Sequence, residues 1–289
     1  MEQIKRIATV NDLSGFGRCS LTVALPILSA MGFQPCPVPT AVLSAHTGYA
    51  SPLVRDMTGD MAAYLSHWET LDLTFSGVYT GFLGNEQQAD ILLPFLQRTA
   101  RQGGLRLVDP AMADHGRLYA TCTEGLVEGM KRLVAAASVA TPNLTELCLL
   151  TGYHYGLVKK DHPARRHRES VELMARRLLE SGCEAVVVTG IELDDRVENC
   201  VLTGRDAQPV WIGSERVERN FAGTGDVFAA VLCGWLLRGV ALPQAVERTA
   251  AFVYRATKRT AELELPEQDG IEFEPFLPLL CAEKEREFL

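Results

Sequence analysis

The stretch AGTGDVF, at residues 222–228, contains the pattern from which the fold and the chemistry of this chain can be inferred. Two glycines beside a threonine let the backbone turn tightly and direct its amide N–H groups at one point. The apolar segment that follows predicts a helix over residues 226–238, and its N-terminus adds unpaired N–H groups and the positive end of the helix dipole. Gly223, Thr224 and Gly225 are therefore predicted to form an anion hole.

Asp226 stands in the first turn of that predicted helix. A carboxylate there can accept a proton from a substrate hydroxyl while the anion hole stabilises charge on a transferring phosphoryl group. Taken alone, the pattern fits equally well an ordinary turn with a capping aspartate, because short glycine motifs have low specificity. Motifs elsewhere in the sequence are needed to distinguish the two interpretations.

The bulk composition excludes several classes of protein. The 289 residues include 28 basic and 36 acidic side chains, and a net charge of −8 argues against general nucleic-acid binding. We expect no secretory signal, because the N-terminal segment has no long apolar core, and no membrane span, because the sequence has no uninterrupted apolar stretch of about 18 residues. Its eight cysteines include no C-x-x-C pair, which favours free thiols in a reducing cytoplasm over a zinc site.

Apolar, β-branched segments alternate with segments of helical periodicity along the whole chain. Strands or extended segments are predicted over residues 4–10, 34–43, 75–80, 105–108, 138–141 and 185–189. Helices are predicted over residues 19–31, 56–70, 85–100, 123–137, 170–181, 226–238 and 243–262. This alternation indicates an α/β fold, with a mostly parallel sheet flanked by helices in one domain over residues 1–289. Residues 194–216 interrupt the pattern and predict an antiparallel pair, 200–202 with 210–212.

Polar clusters follow the predicted strands. They lie at residues 11–15, 44–48, 81–84, 109–110, 143–146, 189–190 and 223–226. Ligands of such folds bind beyond the carboxyl ends of the strands, so we expect these clusters to share one rim. The segment 111–119 is polar, contains a glycine and is predicted to be a lid over the phosphates.

Three of these polar residues are candidates for a metal or phosphate site. Asn143 and Glu146 lie three residues apart, on one face of a first helical turn, where they could hold Mg²⁺ through water. A helix-capping arrangement explains the same pair and is favoured when the pair is taken alone. Asp109 ends a strand and points either to a metal or phosphate contact or to a simple turn.

The loops after the first two strands contain further candidates. Asp12 can hydrogen-bond a ligand, and nearby glycines permit a close backbone approach. His46 and Thr47 supply an imidazole and a hydroxyl, although a lone histidine is more often structural. Neither a dinucleotide fingerprint nor a Walker A loop is present.

Seven ordered motifs carry a resemblance to a known family. They are DLSGFGRCS (12–20), SAHTGY (44–49), SGVYTGFLG (76–84), VDP (108–110), DHGRLY (114–119), TPNLTE (141–146) and GTGD (223–226). With them, the chain resembles the ribokinase-like superfamily, most of all its bacterial pyridoxal/pyridoxamine kinases. The resemblance implies a three-layer α/β/α fold, and ATP-dependent phosphorylation of the 5′-hydroxymethyl group of pyridoxal, pyridoxamine or pyridoxine in vitamin B6 salvage.

The resemblance also implies a role for each matching residue. Asp226 would be the base, beside the anion hole of residues 223–225. The implied substrate-binding residues are Asp12, Ser14, His46, Thr47 and Phe82. The implied ATP-binding residues are Asn143, Thr189 and Tyr119, and the implied metal ligands are Asp109 and Glu146. Mg²⁺, a monovalent cation such as K⁺ and a homodimer are further expectations.

Some residues depart from the pattern and keep alternatives open. Many pyridoxal kinases have tyrosine where this chain has Phe82, and glycine where it has Ala113. The first loop also resembles that of hydroxymethylpyrimidine kinases of thiamine synthesis, although those enzymes often have cysteine where this chain has Asp226. A non-catalytic vitamer-binding protein is an alternative of another class, but such a protein would need no base.

Overall fold

The computed structural model describes residues 5–158 and 164–281. Its strands are β1 (Arg6–Ser14), β2 (Gln34–Leu43), β3 (Val54–Asp56), β4 (Gly77–Thr80), β5 (Leu105–Val108), β6 (Ala113–Asp114), β7 (Arg117–Leu118), β8 (Val139–Ala140), β9 (Ala185–Leu193), β10 (Arg196–Leu202) and β11 (Val210–Glu215). Its α-helices are α1 (Ser20–Ala30), α2 (Thr58–Thr70), α3 (Gln87–Arg101), α4 (Glu124–Ala135), α5 (Leu144–Thr151), α6 (Tyr155–Val158), α7 (Ala164–Glu180), α8 (Thr224–Leu237) and α9 (Leu242–Glu262). Two 3₁₀ helices follow, at Glu267–Asp269 and Glu274–Leu280.

The main sheet of the described residues has the strand order β11-β10-β9-β8-β5-β4-β1-β2-β3. Its centre, from β9 to β2, is parallel, so the carboxyl ends of these strands lie on one edge. The predicted antiparallel pair is present, with Cys200 opposite Trp211 and Val201 opposite Val210. At the other edge, β3 runs antiparallel to β2.

Helices cover both faces of this sheet, as the apolar pattern of the chain predicts. On one face α1, α8 and α9 bury residues such as Ile27, Val231 and Val246 against the sheet. On the other face α3, α4 and α7 bury residues such as Leu92 and Met174. The three-layer α/β/α architecture that the resemblance implied is therefore the one observed. Over residues 5–158 and 164–281, none of the helices has the length and apolar character needed to cross a bilayer.

Several elements extend beyond their predicted bounds, among them β10 and β11 of the antiparallel pair, and tertiary pairing explains two further cases, β1 and β9. β1 continues from residue 10 to Ser14, because its polar end pairs with β2. The register shifts between Asn11 and Leu13, and such a bulge re-aims side chains next to a site. β9 continues from residue 189 to Leu193, because β10 pairs with it. Helix α7 begins at Ala164, before the predicted residue 170.

The packing of α3 gives a prediction for stability. Leu92 in α3 is 0% exposed, whereas Leu173 in α7 is 57% exposed. Replacing Leu92 by alanine should lower the free energy of unfolding by about 2–5 kcal/mol, because it leaves a cavity between α3 and the sheet. The matched Leu173→Ala change should alter it by less than about 0.5 kcal/mol. Urea unfolding followed by circular dichroism measures both, and equal losses would contradict the packing described here.

Candidate active site

A cavity of about 580 Å³ opens at the carboxyl ends of the parallel strands. Of the residues predicted for the site, the following line it: Asp12, His46, Thr47, Phe82, Asp109, Tyr119, Asn143, Glu146, Thr189, Gly223, Thr224, Gly225 and Asp226. These residues come from loops spread over more than 200 residues of the chain, from Asp12 to Asp226, and the parallel order of the strands brings the loops together. The expectation of a single rim agrees with this placement.

The glycine turn before α8 has the geometry that an anion hole needs. Gly223 has φ +71°, in the left-handed region, and a Cβ atom there would lie 1.9 Å from the carbonyl oxygen of Arg18. Glycine is therefore required both by the backbone conformation and by the close approach of the Arg18 loop. α8 begins at the next residue, so its unpaired N–H groups and the positive end of its dipole face the cavity.

Asp226 lies in the first turn of α8. Its Oδ1 accepts a hydrogen bond from Nδ2 of Asn11 at 3.1 Å. Burial raises the pKa of this carboxyl to about 6, and the nearby charge of Asp12 also raises it, whereas hydrogen bonds from the Ser20 backbone and from Asn11 lower it. Asp226 is therefore mostly ionised near pH 7 and still basic enough to accept a proton.

Asp109 and Glu146 form an acidic pair deep in the cavity. Thr141 donates its hydroxyl to Oδ1 of Asp109 at 3.1 Å. Burial, followed by the charge of Asp226, raises the pKa of Asp109 to about 8. Burial and the charge of Asp109 raise the pKa of Glu146 well above its usual range. Two buried carboxylates that oppose each other's ionisation favour a cation close to them.

The capping interpretation of Asn143 and Glu146 is correct at the level of local structure. Oδ1 of Asn143 accepts from the Glu146 backbone N–H at 3.0 Å, and Oε2 of Glu146 accepts from the Asn143 backbone N–H at 2.9 Å. Oε1 of Glu146 also accepts from the Met112 backbone N–H at 3.2 Å. These bonds hold the carboxylate at the cavity wall, so capping the helix and facing a ligand are compatible for Glu146.

Comparison with known proteins agrees with this geometry. Residues 25–270 match the phosphomethylpyrimidine kinase family. The chain belongs to this family. The pyridoxine/pyridoxal/pyridoxamine kinase of Bordetella avium is 32% identical over 282 residues, which cover 91% of this chain and 90% of that protein.

Two solved structures extend the comparison. A Bacteroides thetaiotaomicron protein assigned to the phosphomethylpyrimidine kinases, in a crystal form with pyridoxal, has a TM-score of 0.89 and 35% identity over 96% of both chains. The pyridoxal kinase of Lactobacillus plantarum has a TM-score of 0.86 and 27% identity over 98% of this chain and 99% of that one. The predicted membership among the ribokinase-like vitamin kinases is thus confirmed.

Asp12 forms part of the cavity wall, in the second half of β1. Its carboxylate is buried, and Oδ2 accepts the Ser14 hydroxyl at 2.7 Å. Burial raises the pKa of Asp12, and hydrogen bonds from Ser20 and Ser14 lower it. Ser14 itself is fully buried behind Asp12 and does not line the cavity. The place of Ser14 in the described site is therefore to hold the Asp12 carboxylate.

His46 lines the same cavity, and both nitrogens of its ring are already hydrogen-bonded within the protein. Nδ1 accepts from the Gly48 backbone N–H at 3.0 Å, which leaves Nε2 to donate to the carbonyl oxygen of Gln268 at 2.7 Å. A Cβ atom at Gly17 or Gly48 would lie 2.3 Å or 2.6 Å from ring atoms of His46. The ring is held on both sides, so its position supports packing more than hydrogen bonding to a ligand.

The predicted lid contains the small hairpin β6–β7. His115 and Gly116 adopt positive φ angles at its tip. The Gly116 backbone N–H donates to the Thr145 hydroxyl at 2.9 Å, and the Tyr119 N–H donates to the Met112 carbonyl at 2.9 Å. Burial raises the pKa of the Tyr119 phenol, which therefore faces the cavity as a neutral hydrogen-bond donor.

Sequence reasoning did not assign several residues that the structure places at the site. Asn11 bonds the base directly, but its only signal in the sequence is its position beside Asp12. Val253, Tyr254 and Thr257 of α9 line the cavity, although their spacing resembles an ordinary helix face. Cys19 also lines it, and burial raises the pKa of its thiol to about 12, so it remains a neutral side chain.

The glycine turn gives a prediction that separates its two glycines. Gly223→Ala should lower the free energy of unfolding by about 1–3 kcal/mol or more, because of the left-handed φ and the clash with Arg18. A Cβ atom at Gly225 would meet nothing within 4 Å, so Gly225→Ala should keep the wild-type stability. Thermal unfolding of both variants measures the difference. Equal stability of Gly223→Ala and Gly225→Ala would show that residue 223 does not require glycine.

Proposed function

We propose that this kinase transfers the γ-phosphoryl group of ATP to the 5′-hydroxymethyl group of pyridoxal, pyridoxamine or pyridoxine. The observation that carries this proposal is the placement of Asp226 in the first turn of α8, directly after the left-handed turn at Gly223. A base and an anion site then face one cavity, as a phosphoryl acceptor requires. Most of the similar proteins, including those of Bordetella avium and Lactobacillus plantarum, are named as kinases of pyridoxal, and this supports the choice of acceptor.

In this mechanism, Asp226 accepts the proton of the hydroxymethyl group as its oxygen attacks the γ-phosphorus of ATP. The backbone N–H groups of residues 223–225 and the N-terminus of α8 stabilise the negative charge on the transferring group. Phosphoryl transfer asks the protein mainly for alignment and for charge neutralisation, and it needs no covalent intermediate with a side chain. The neutral Cys19 thiol does not compete as a nucleophile.

ATP and Mg²⁺ are the proposed partners of the acidic half of the cavity. Asn143, Thr189 and Tyr119 would contact the nucleotide, and Asp109 with Glu146 would hold Mg²⁺, in part through water. The described residues contain no group of three or more His, Cys, Asp or Glu side chains placed to enclose a metal. Two carboxylates fit Mg²⁺ because this ion keeps several waters and takes few direct protein ligands. Bound Mg²⁺ would neutralise phosphate charge, and K⁺ is proposed by resemblance alone.

The proposal extends to the organisation of the protein. We propose one kinase domain over residues 1–289, supported by the continuous sheet from β1 to β11. We propose a homodimer from the resemblance, and exposed Leu53 and Val54, at the start of edge strand β3, offer an apolar surface for a second copy. A cytoplasmic location agrees with all eight cysteines being free thiols.

A second candidate acceptor is hydroxymethylpyrimidine or its phosphate, since the matching family bears the name of the phosphomethylpyrimidine kinases. Both acceptors present a hydroxymethyl group on an aromatic ring, so Asp226 does not distinguish them. The wall formed by Asp12, Thr47 and Phe82 must do so. A non-catalytic vitamer-binding protein is disfavoured, because it would gain nothing from a buried base beside an anion hole.

A substrate panel tests the choice of acceptor. Purified protein with Mg-ATP should phosphorylate at least one of pyridoxal, pyridoxamine and pyridoxine with a kcat/KM at least tenfold above that for hydroxymethylpyrimidine. Chromatographic detection of the phosphorylated product, beside a reaction without acceptor, is the measurement. A preference for the pyrimidine would establish the second candidate, and the absence of product with every acceptor would remove the kinase proposal.

The role of Asp226 gives a separate prediction. Asp226→Asn should lower kcat by about 10²–10⁴-fold, because the amide cannot accept the proton, while pyridoxal binding measured by calorimetry stays within a few-fold. In the wild type, kcat/KM should fall as the pH drops through about 6, where the carboxylate becomes protonated. The exposed Asp72→Asn is the matched control and should behave as wild type. Wild-type turnover in Asp226→Asn would show that another group is the base.

A further inference from the structure

Asn11, in the second half of β1, makes three side-chain hydrogen bonds to residues that line the cavity. Its side chain is 0% exposed. Oδ1 accepts from the Asp12 backbone N–H at 3.0 Å and from the Phe82 backbone N–H at 2.8 Å. Both of these donors belong to residues that line the substrate side of the cavity.

These two bonds fix the orientation of the amide. A backbone N–H can only donate, so the group that faces both of them must be the carbonyl oxygen of Asn11. A flipped amide would set its NH₂ group against two donors and its oxygen against the Asp226 carboxylate. Nδ2 is therefore directed at Oδ1 of Asp226, at 3.1 Å.

The bond to Asp226 is charge-assisted. A donor to a carboxylate favours the ionised form, and it acts more strongly where water is excluded. Asn11 thus opposes the burial and the Asp12 charge, which both favour protonation of Asp226. The same amide also sets the position of the base relative to the backbone of Asp12 and Phe82.

The space for this amide comes from Gly81. A Cβ atom at Gly81 would lie 2.3 Å from Nδ2 of Asn11. At Gly84, three residues later in the same loop, the nearest atoms to a Cβ would be 3.6 Å or more away. Gly81 is therefore required where the Asn11 amide passes the β4 loop, while Gly84 has room for a methyl group.

We propose that Asn11 is a positioning residue that keeps Asp226 ionised and holds it in register with the substrate wall formed by Asp12 and Phe82. This inference rests on the proposed role of Asp226 as the base. It assigns a function to a residue that does not itself touch the reacting atoms, and it assigns Gly81 the role of leaving room for that residue.

The Asn11→Asp variant removes the hydrogen-bond donor to Asp226. The new carboxylate can still accept from both backbone N–H groups, but it has no donor for Asp226 and adds a negative charge beside it. The acid limb of the kcat/KM profile should move upward by about one pH unit or more, with a loss of about threefold or more at pH 6.5 that shrinks at pH 8.5. The added charge contributes to this shift by itself, so Gly81→Ala, which adds no charge, isolates the effect of the lost hydrogen bond. A merely structural role of Asn11 would leave the acid limb of Gly81→Ala in place.

Gly81→Ala perturbs the same contact without changing Asn11, and it should move the limb in the same direction. Gly84→Ala is its matched control and should keep the wild-type profile. Circular dichroism and thermal unfolding show whether each variant is folded. If Asn11→Asp does not fold, Gly81→Ala decides the question, and an unchanged acid limb in a folded variant overturns the proposal.

A titration that needs no turnover separates this inference from the proposed function. With ¹³C-labelled aspartate, the carboxyl resonance of Asp226 is identified as the signal missing from Asp226→Asn. Its midpoint should rise in Asn11→Asp and in Gly81→Ala relative to wild type and Gly84→Ala. A wild type that phosphorylates no acceptor would reject the function alone, whereas equal midpoints would reject the role of Asn11 whatever the substrate proves to be.

Discussion

Several carboxylates share one partly enclosed cavity, and this electrostatic constraint determines much of the structure around it. Asp12, Asp109, Glu146 and Asp226 each have a pKa raised chiefly by burial. Like charges this close oppose one another's ionisation, so each carboxylate needs donors from the protein. Ser14, Thr141 and Asn11 supply them from side chains, while the bonds to Glu146 come from backbone N–H groups.

The same constraint bears on how a polyanion is bound. Acidic side chains outnumber arginines in the described lining, which contains Asp12, Asp109, Asp114, Glu146, Glu192, Glu215 and Asp226 beside Arg216 and Arg219. Both arginines already pair with glutamates, Glu192 and Glu267. Nucleotide phosphates therefore meet little unpaired positive charge on side chains. The N-terminus of α8 is one further source of a positive field, and a cation near Asp109 would be another, which is why a metal belongs to the proposed function.

Local pattern in the sequence predicted the central strands, most of the long helices and most of the residues at the rim, but not the short elements β3, β6, β7, α5 and α6. The bounds of β2 and β5 agree with the predicted residues 34–43 and 105–108, because apolar runs and turn residues delimit them. The polar end of β1 was missed, since burial there depends on pairing with β2 and on a bulge. His46 and Asn11 show the same limit: each has a partner that is a backbone atom of a residue distant in the chain, Gln268 or Phe82, and a short motif does not reveal such a partner.

The 3₁₀ turn at Glu267–Asp269 shows most clearly how contacts outside the motifs organise the site. Its consecutive carbonyl oxygens accept from the Ala222 N–H at 2.9 Å, from His46 at 2.7 Å and from the Arg18 N–H at 3.0 Å. These partners lie in the loops before α8, after β2 and after β1. Three rim segments are thus tied together by one turn near the end of the described chain. Since carbonyl groups are present on every residue, almost any sequence could supply these acceptors. What the fold must supply is the path of residues 263–270 across the rim, and that path links the loop before the Gly223 turn to the cavity wall at His46.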